Sequence, residues 1–218
     1  MNRREFLLSG SAGFGLSSIL QAGSKHSIRK ICKAVKFGTK ADLVRMRKLK
    51  KLGFDGIEGT APNLQTESIL QACLKMDLPM HGVVYSKHWK VRLSDPNPLV
   101  REESRMGLVQ SMKEVSKVGG TSVLLVPGRV KGEFETHQHV WNRSIEQIRK
   151  IIPLAEELKI HILIETVWNG FCCLPEQFRD YIDEIDSPWV QAYYDICLLY
   201  TSDAADEGLG VDLGGRRI

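Results

Sequence analysis

Between residues 31 and 196 the chain alternates between two hydrophobic rhythms. Short, nearly unbroken apolar runs read as strands, and longer stretches with apolar residues three or four apart read as helices. The first strand is expected near Ile31–Phe37. A helix over about Lys40–Leu52 follows, with apolar positions Leu43, Val44, Met46 and Leu49 and a stop at Gly53. Gly56–Glu58 reads as a short second strand. The next helix begins after Pro62-Asn63 and carries Leu64, Ile69, Leu70 and Leu74. Leu78–Val84 is the third strand, and a polar connection over Tyr85–Pro98 leads to a helix from about Leu99 to Val118, closed by Gly119-Gly120. Ser122–Val126 is the fourth strand, stopped by Pro127-Gly128. Further along come a helix over about Trp141–Leu158, a strand at Ile160–Glu165, a helix at Pro175–Ile185 and a strand at Val190–Asp195.

This is about six β/α units, and the alternation predicts a parallel sheet. A run such as Val123-Leu124-Leu125-Val126 suits a strand covered on both faces. Periodicity alone leaves two architectures open, a doubly wound sheet and a barrel.

The 218 residues suit one domain, and 43% hydrophobic with 26% charged residues is an ordinary globular mixture. The formal net charge of +4 sits entirely in residues 1–30, where Arg3, Arg4, Lys25, Arg29 and Lys30 face Glu5 alone. No basic stripe interleaved with aromatics marks a nucleic-acid surface. Cys32, Cys73, Cys172, Cys173 and Cys197 form no CxxC pair, and buried free thiols are expected, on a strand at Cys32 and a helix at Cys73. Ahead of the domain, Arg3-Arg4-Glu5-Phe6-Leu7 and an uncharged Ser9–Ser24 resemble a twin-arginine export signal over residues 1–23. That implies an exported, periplasmic protein with no membrane segment after processing.

In a β/α barrel, reactive groups stand at the C-terminal ends of strands or just beyond them. Those positions offer Lys36; Glu58; His81, then Tyr85, His88 and Trp89; Pro127 and Arg129; Glu165, then Trp168 and Asn169; and Asp195. Glu165 and Asp195 each end an apolar strand. Two such carboxylates make half of an oxygen-rich site for a hard cation such as Mn²⁺ or Mg²⁺. His137 and His139 flank a charged loop and are expected to face solvent.

Four segments, Met80–Pro96, Val123–Gly128, Ile164–Asn169 and Ser187–Ile196, resemble the sugar phosphate isomerase/epimerase family with the xylose-isomerase-like barrel. The resemblance implies a partial (β/α)8 barrel, here with about six of its eight units. It also implies divalent-metal-dependent proton transfer next to the carbonyl of a small sugar. Glu165 then matches a metal ligand that doubles as an acid/base, and Asp195 matches a second metal ligand. Glu58, His81, His88, Trp168 and Asn169 become substrate contacts, with Trp89 or Trp168 covering the ring. The family follows its Asp with Gly-Asn and then His. Here Cys197–Glu207 and Val211–Ile218 instead resemble the translation of a transposase adapter used in DNA library preparation. The expectation is therefore a barrel truncated after Ile196, inactive and poorly soluble by itself, whose complete parent could form a homo-oligomer. A non-catalytic carbohydrate-binding barrel and an endonuclease-IV-like enzyme are the competing expectations.

Overall fold

The computed structural model describes residues 31–195 together with 197 and 198. The expected export signal, and all but two residues of the adapter-like tail, lie outside the described residues. The chain divides between Ile31 and Cys32, and the fold described is that of the second unit.

Six strands form one sheet: β1 (Ala34–Gly38), β2 (Gly56–Ala61), β3 (Met80–Tyr85), β4 (Ser122–Leu125), β5 (His161–Ile164) and β6 (Val190–Ala192). Every neighbouring pair is parallel, and the order is β1-β2-β3-β4-β5-β6. This order decides between the two architectures. A doubly wound sheet reverses its strand order at a switch point, whereas a barrel adds each strand beside the last. The chain forms a partial barrel, and among the described residues β1 and β6 each pair on one side only.

The helices are α1 (Leu43–Lys51), α2 (Thr66–Met76), α3 (Pro98–Lys117), α4 (His137–Arg149), α5 (Ile152–Leu158) and α6 (Pro175–Ile185). Strand alternation gives the sheet two unlike faces. On β5, Ile162 and Ile164 are fully buried while His161 and Leu163, and Glu165 just after the strand, are half-buried. The outer face packs on the helices. Its core joins Ile57, Met80, Val83, Val123, Leu125, Ile162 and Ile164 to Ile69, Met112, Val115, Ile148 and Tyr181. Each such side chain contributes roughly 1.5–3 kcal/mol on burial. The packing is close enough that a Cβ on Gly107 of α3 would lie 2.8 Å from the Tyr85 hydroxyl, which donates to the Ser104 carbonyl at 2.9 Å.

The helix expected over Trp141–Leu158 is two helices. Pro153, in the first turn of α5, has no N–H to give, and its ring would clash with the Arg149 carbonyl in a continuous helix. The first of them also begins earlier, at His137, because the Thr136 side chain accepts from the His139 N–H at 3.2 Å and His139 reaches back to the Thr136 N–H at 3.3 Å. Cys32 is exposed and precedes β1, so its expected place in a core strand is corrected. Cys73 is buried on α2 as expected.

Candidate active site

The site is the inner face of the sheet near its C-terminal end, and its first wall is made by β5 and β6. Glu165 follows β5 directly, and its N–H continues the ladder to the Leu125 carbonyl at 3.0 Å. Asp195 comes three residues after β6, where the Tyr193 N–H donates to the Ile164 carbonyl at 2.7 Å. The alternation that buries Val190 outward turns Gln191, Tyr193 and Asp195 inward. Burial raises the Glu165 carboxyl above its ordinary value. The Lys36 ammonium opposes this, and the charges of Asp195 and Glu58 reinforce it. The Tyr193 hydroxyl is raised by burial and then by the charges of Glu58, Glu165 and Asp195. Three carboxylates from β2, β5 and β6 thus share one electrostatic environment. Glu165 is partly desolvated among other acids, which is why its carboxyl lies above the ordinary value.

The second wall is made by β1 and β2. Glu58 lies in the middle of β2 and is 6% exposed. Burial raises its carboxyl, against the pull of His81 and Lys36. The expected strand Gly56–Glu58 runs three residues further, to Ala61, which places Glu58 inside the strand and not at its end.

Expectations for the third strand need correction. β3 starts at Met80, and the register jumps from Ile57↔Met80 to Glu58↔Gly82. His81 is the extra residue of this irregularity. It is exposed and sits in the first half of the strand, so it does not stand at the mouth. Its influence on the site runs through Glu58.

His88 is placed at the mouth. It is 8% exposed and accepts from the Val126 N–H through Nδ1 at 3.5 Å, and the Trp89 ring lies 4.9 Å from it, edge-on. Burial, helped by Lys36, pushes the His88 imidazole down to about 4, so it is neutral at pH 7. The unfolded chain takes up this proton first. Its contribution of about 3 kcal/mol is therefore complete above pH 6.5 and is lost as pH falls towards 4. Glu58 and Glu165, raised in the fold, act in the opposite sense and lose stability as pH rises past their ordinary value. A residue-resolved NMR titration separates these effects. The His88 ring signals are expected to stay flat from pH 8 to pH 5.5, and a midpoint near 6.5 would refute the burial argument.

Asn169 is used by the protein itself. Its Nδ2 donates to the Gly128 carbonyl at 2.8 Å and its Oδ1 accepts from the Phe171 N–H at 3.0 Å, which ties the loop after β5 to the loop after β4. Trp168, one residue earlier, is 69% exposed. His137 is half-buried, not solvent-facing as expected. Its ring lies 4.8 Å from Phe171, and its Nε2 accepts from the Cys172 N–H at 3.3 Å. His139 is exposed as expected and serves as a helix cap.

A buried ionic network behind the mouth was not read from the sequence. Arg92 donates to Glu135 at 2.8 Å and to the Arg129 carbonyl at 2.6 Å, and Arg143 reaches the other Glu135 oxygen at 3.1 Å. The Lys131 N–H also donates to Glu135, at 2.8 Å. This network fastens the loop after β3 to the loop after β4. Glu114 of α3 plays a similar part for the loop after β2, accepting from the Asn63 and Leu64 N–H groups at 3.1 and 3.0 Å.

The donor chemistry of Glu165 and Asp195 suits a hard divalent cation. One Asp195 oxygen is occupied by the Cys197 and Leu198 N–H groups, which leaves the other for a ligand. Among the described residues no group of three His, Cys, Asp or Glu is placed to hold a metal ion.

The family model of the xylose isomerase-like TIM barrel matches residues 46–218. The chain belongs to this family. Among solved structures, this xylose isomerase-like barrel is similar to a 3-keto-D-glucoside 4-epimerase from E. coli (TM-score 0.64, 16% identity, 73% of this chain and 67% of that one). It is similar also to D-psicose 3-epimerase from Clostridium cellulolyticum H10 (TM-score 0.64, 18% identity, 74% and 62%). A family 2 AP endonuclease from Brucella melitensis has the same fold (TM-score 0.65, 14% identity, 78% and 70%). The chain spans about two thirds of the length of these proteins. At such identities the likeness fixes the fold and leaves the reaction open. No curated protein matches the chain.

Proposed function

We propose that the xylose isomerase-like barrel to which this chain belongs is a divalent-metal-dependent sugar isomerase or epimerase. It would move a proton at the carbon next to a ketose carbonyl. The observation that carries this reading is the facing of Glu165 and Asp195 from successive strand ends, with Glu165 held above its ordinary range. In this reading the Glu165 carboxylate accepts the proton from carbon; in an isomerisation it returns that proton to the neighbouring carbon, and in an epimerisation a second acid delivers one to the opposite face. With Nδ1 accepting from the Val126 N–H, neutral His88 carries its proton on Nε2 and offers a hydrogen bond to a sugar hydroxyl without adding charge. Trp168 and Trp89, both partly exposed, cover the ring. Glu165 and Asp195 would hold Mn²⁺ or Mg²⁺, which when bound supplies charge stabilisation to the sugar oxygens. Two similar barrels, a 3-keto-D-glucoside 4-epimerase and a D-psicose 3-epimerase, support a sugar substrate. We place the protein outside the cytoplasm on the strength of Arg3-Arg4 and the uncharged stretch after them, which favours an unphosphorylated sugar.

The test uses the protein that carries the whole barrel. With Mn²⁺ in D₂O, deuterium is expected to enter a ketose such as D-fructose or D-tagatose next to the carbonyl, and chelation should stop it. A second reading, a non-catalytic carbohydrate-binding barrel, is favoured by the exposure of the two tryptophans. It predicts sugar binding that survives chelation, with no deuterium incorporation under any condition.

A further inference from the structure

The loop after β5 is held by an anchor whose chemistry depends on proton uptake. His137 is the first residue of α4, and its Nε2 accepts from the Cys172 N–H at 3.3 Å. Its ring lies 4.8 Å from Phe171, tilted by 34°, and 5.6 Å from Trp141. An accepting Nε2 fixes the neutral tautomer that carries its proton on Nδ1. The Cys172 backbone is gripped at both ends, because its carbonyl accepts from the Thr166 hydroxyl at 2.7 Å. Thr166 directly follows Glu165. Cys172 is also a buried non-glycine residue at a φ of +50°, a left-handed conformation that persists only where the surroundings enforce it.

Protonation of His137 ends this arrangement. Nε2 then carries a hydrogen and meets the Cys172 N–H donor to donor. The imidazolium is further disfavoured in the first turn of α4, where the helix dipole is positive. The Phe171 ring attracts a cation but gives the new N–H no lone pair. No neighbouring charge compensates. The Cys172 thiol, pushed up to about 12 by burial, and the buried Tyr181 hydroxyl of α6, also raised, stay neutral, and Cys173 is the half-exposed thiol beside them. Glu184 of α6 accepts from Trp141 Nε1 at 2.7 Å. Glu135 of the loop after β4 is committed to Arg92 and to Arg143 of α4, and His139 of α4 is turned to the Thr136 N–H. Burial alone holds the His137 imidazole below its ordinary value.

We propose that His137 is a positioning residue that latches the loop after β5 to α4 while its ring is neutral and releases the Cys172 segment when it takes up a proton. The latch acts through Cys172 on Thr166, and so on the backbone that carries Glu165. It is a property of the fold and stands independently of the proposed reaction. Asn169 ties the neighbouring part of the loop to Gly128 with an amide that does not titrate, so the release is local to Cys172 and Cys173.

Amide hydrogen exchange on the full chain, followed by NMR and divided by the intrinsic rate at each pH, tests this. In wild type the Cys172 amide is expected to lose protection at least tenfold between about pH 7.5 and pH 5, in step with a His137 ring titration whose midpoint lies below 6.5. His137→Gln places an amide oxygen where Nε2 was, and should stay protected across the whole range. His137→Phe keeps the ring but has no acceptor, and should be at least tenfold less protected than wild type at neutral pH, with no further change in acid. The Ile162 amide, bonded to the Trp189 carbonyl at 2.8 Å, reports global unfolding and should hold steady. Wild-type protection at Cys172 that stays flat through the His137 titration overturns the latch. So does a His137→Gln variant that loses protection as wild type does, because another group would then be the switch. A loss shared equally by Ile162 overturns it as well, since the whole fold would then be opening.

Discussion

Glu165→Gln is expected to abolish proton exchange in the complete barrel, lowering deuterium incorporation into a ketose by at least about 10³-fold. The amide keeps the shape of the side chain but can neither take a proton from carbon nor hold one in reserve. The surroundings that raise the Glu165 carboxyl, burial first and then the charges of Asp195 and Glu58, are of no use to an amide. The same change removes one of the two carboxylates available to a cation, so Mn²⁺ affinity should fall with it. Stability should move the other way. Glu165 shares its environment with two other acids, and losing one negative charge relieves repulsion, so Tm should hold or rise. That combination separates a catalytic role from a structural one. Retention of a tenth or more of the wild-type exchange rate, in a variant that folds, would remove Glu165 from the chemistry.

Glu135→Ala is expected to be the most damaging single change outside the apolar core, costing about 3–5 kcal/mol. The Arg92 and Glu135 side chains are 9% and 7% exposed and meet at 2.8 Å. Truncating the carboxylate strands the Arg92 guanidinium in a buried place. Only the Arg129 carbonyl at 2.6 Å and Asp95 at 3.3 Å remain to it. Arg143 and the Lys131 N–H lose the same partner. For a domain of this size the loss corresponds to a Tm drop on the order of 10 °C. Replacing Arg92 and Glu135 together by Met and Leu should recover much of the stability, since a well-packed apolar pair avoids the stranded charge. The double variant should still be impaired in sugar binding, because the loop carrying His88 and Trp89 would lose its fastening to the loop after β4. Thermal unfolding of the single and double variants checks this. A loss below about 1 kcal/mol for Glu135→Ala would mean that water reaches the network.

The two predictions differ in how far the sequence could have led to them. The positions of Glu165 and Asp195 at strand ends are legible in the sequence, because a carboxylate that closes an apolar run such as Ile160–Ile164 interrupts its own local pattern. Glu135 sits in a charged loop, where a sequence reading finds only another solvated acid. Its burial depends on Arg92, 43 residues earlier, folding back over it. Pro153 could have been read correctly, since a proline in the first turn of a helix announces a new helix in any context. The twelve-residue separation of Trp141 from Pro153 made one long helix look continuous. His81 was misplaced for a different reason. A one-residue irregularity in β3 shifts the pairing with β2, and nothing in Met80-His81-Gly82 marks where such a slip occurs.

The sequence by itself determined the alternation of strands and helices, the apolar faces that bring them together, and the two carboxylates that end β5 and β6. Those are local properties, set by period, by turn residues and by a charge placed where a run of Ile and Leu should end. The tertiary structure decided the sequential strand order that makes the sheet a partial barrel, and the register that sets Lys36 beside Glu58. It also turned one face of every strand towards a shared lumen. Only there do groups from β1, β2, β5 and β6, more than a hundred residues apart in the chain, act on one another's charges. That coupling depends on distance in a desolvated space, and distance between strands is fixed by pairing and closure, not by spacing along the chain.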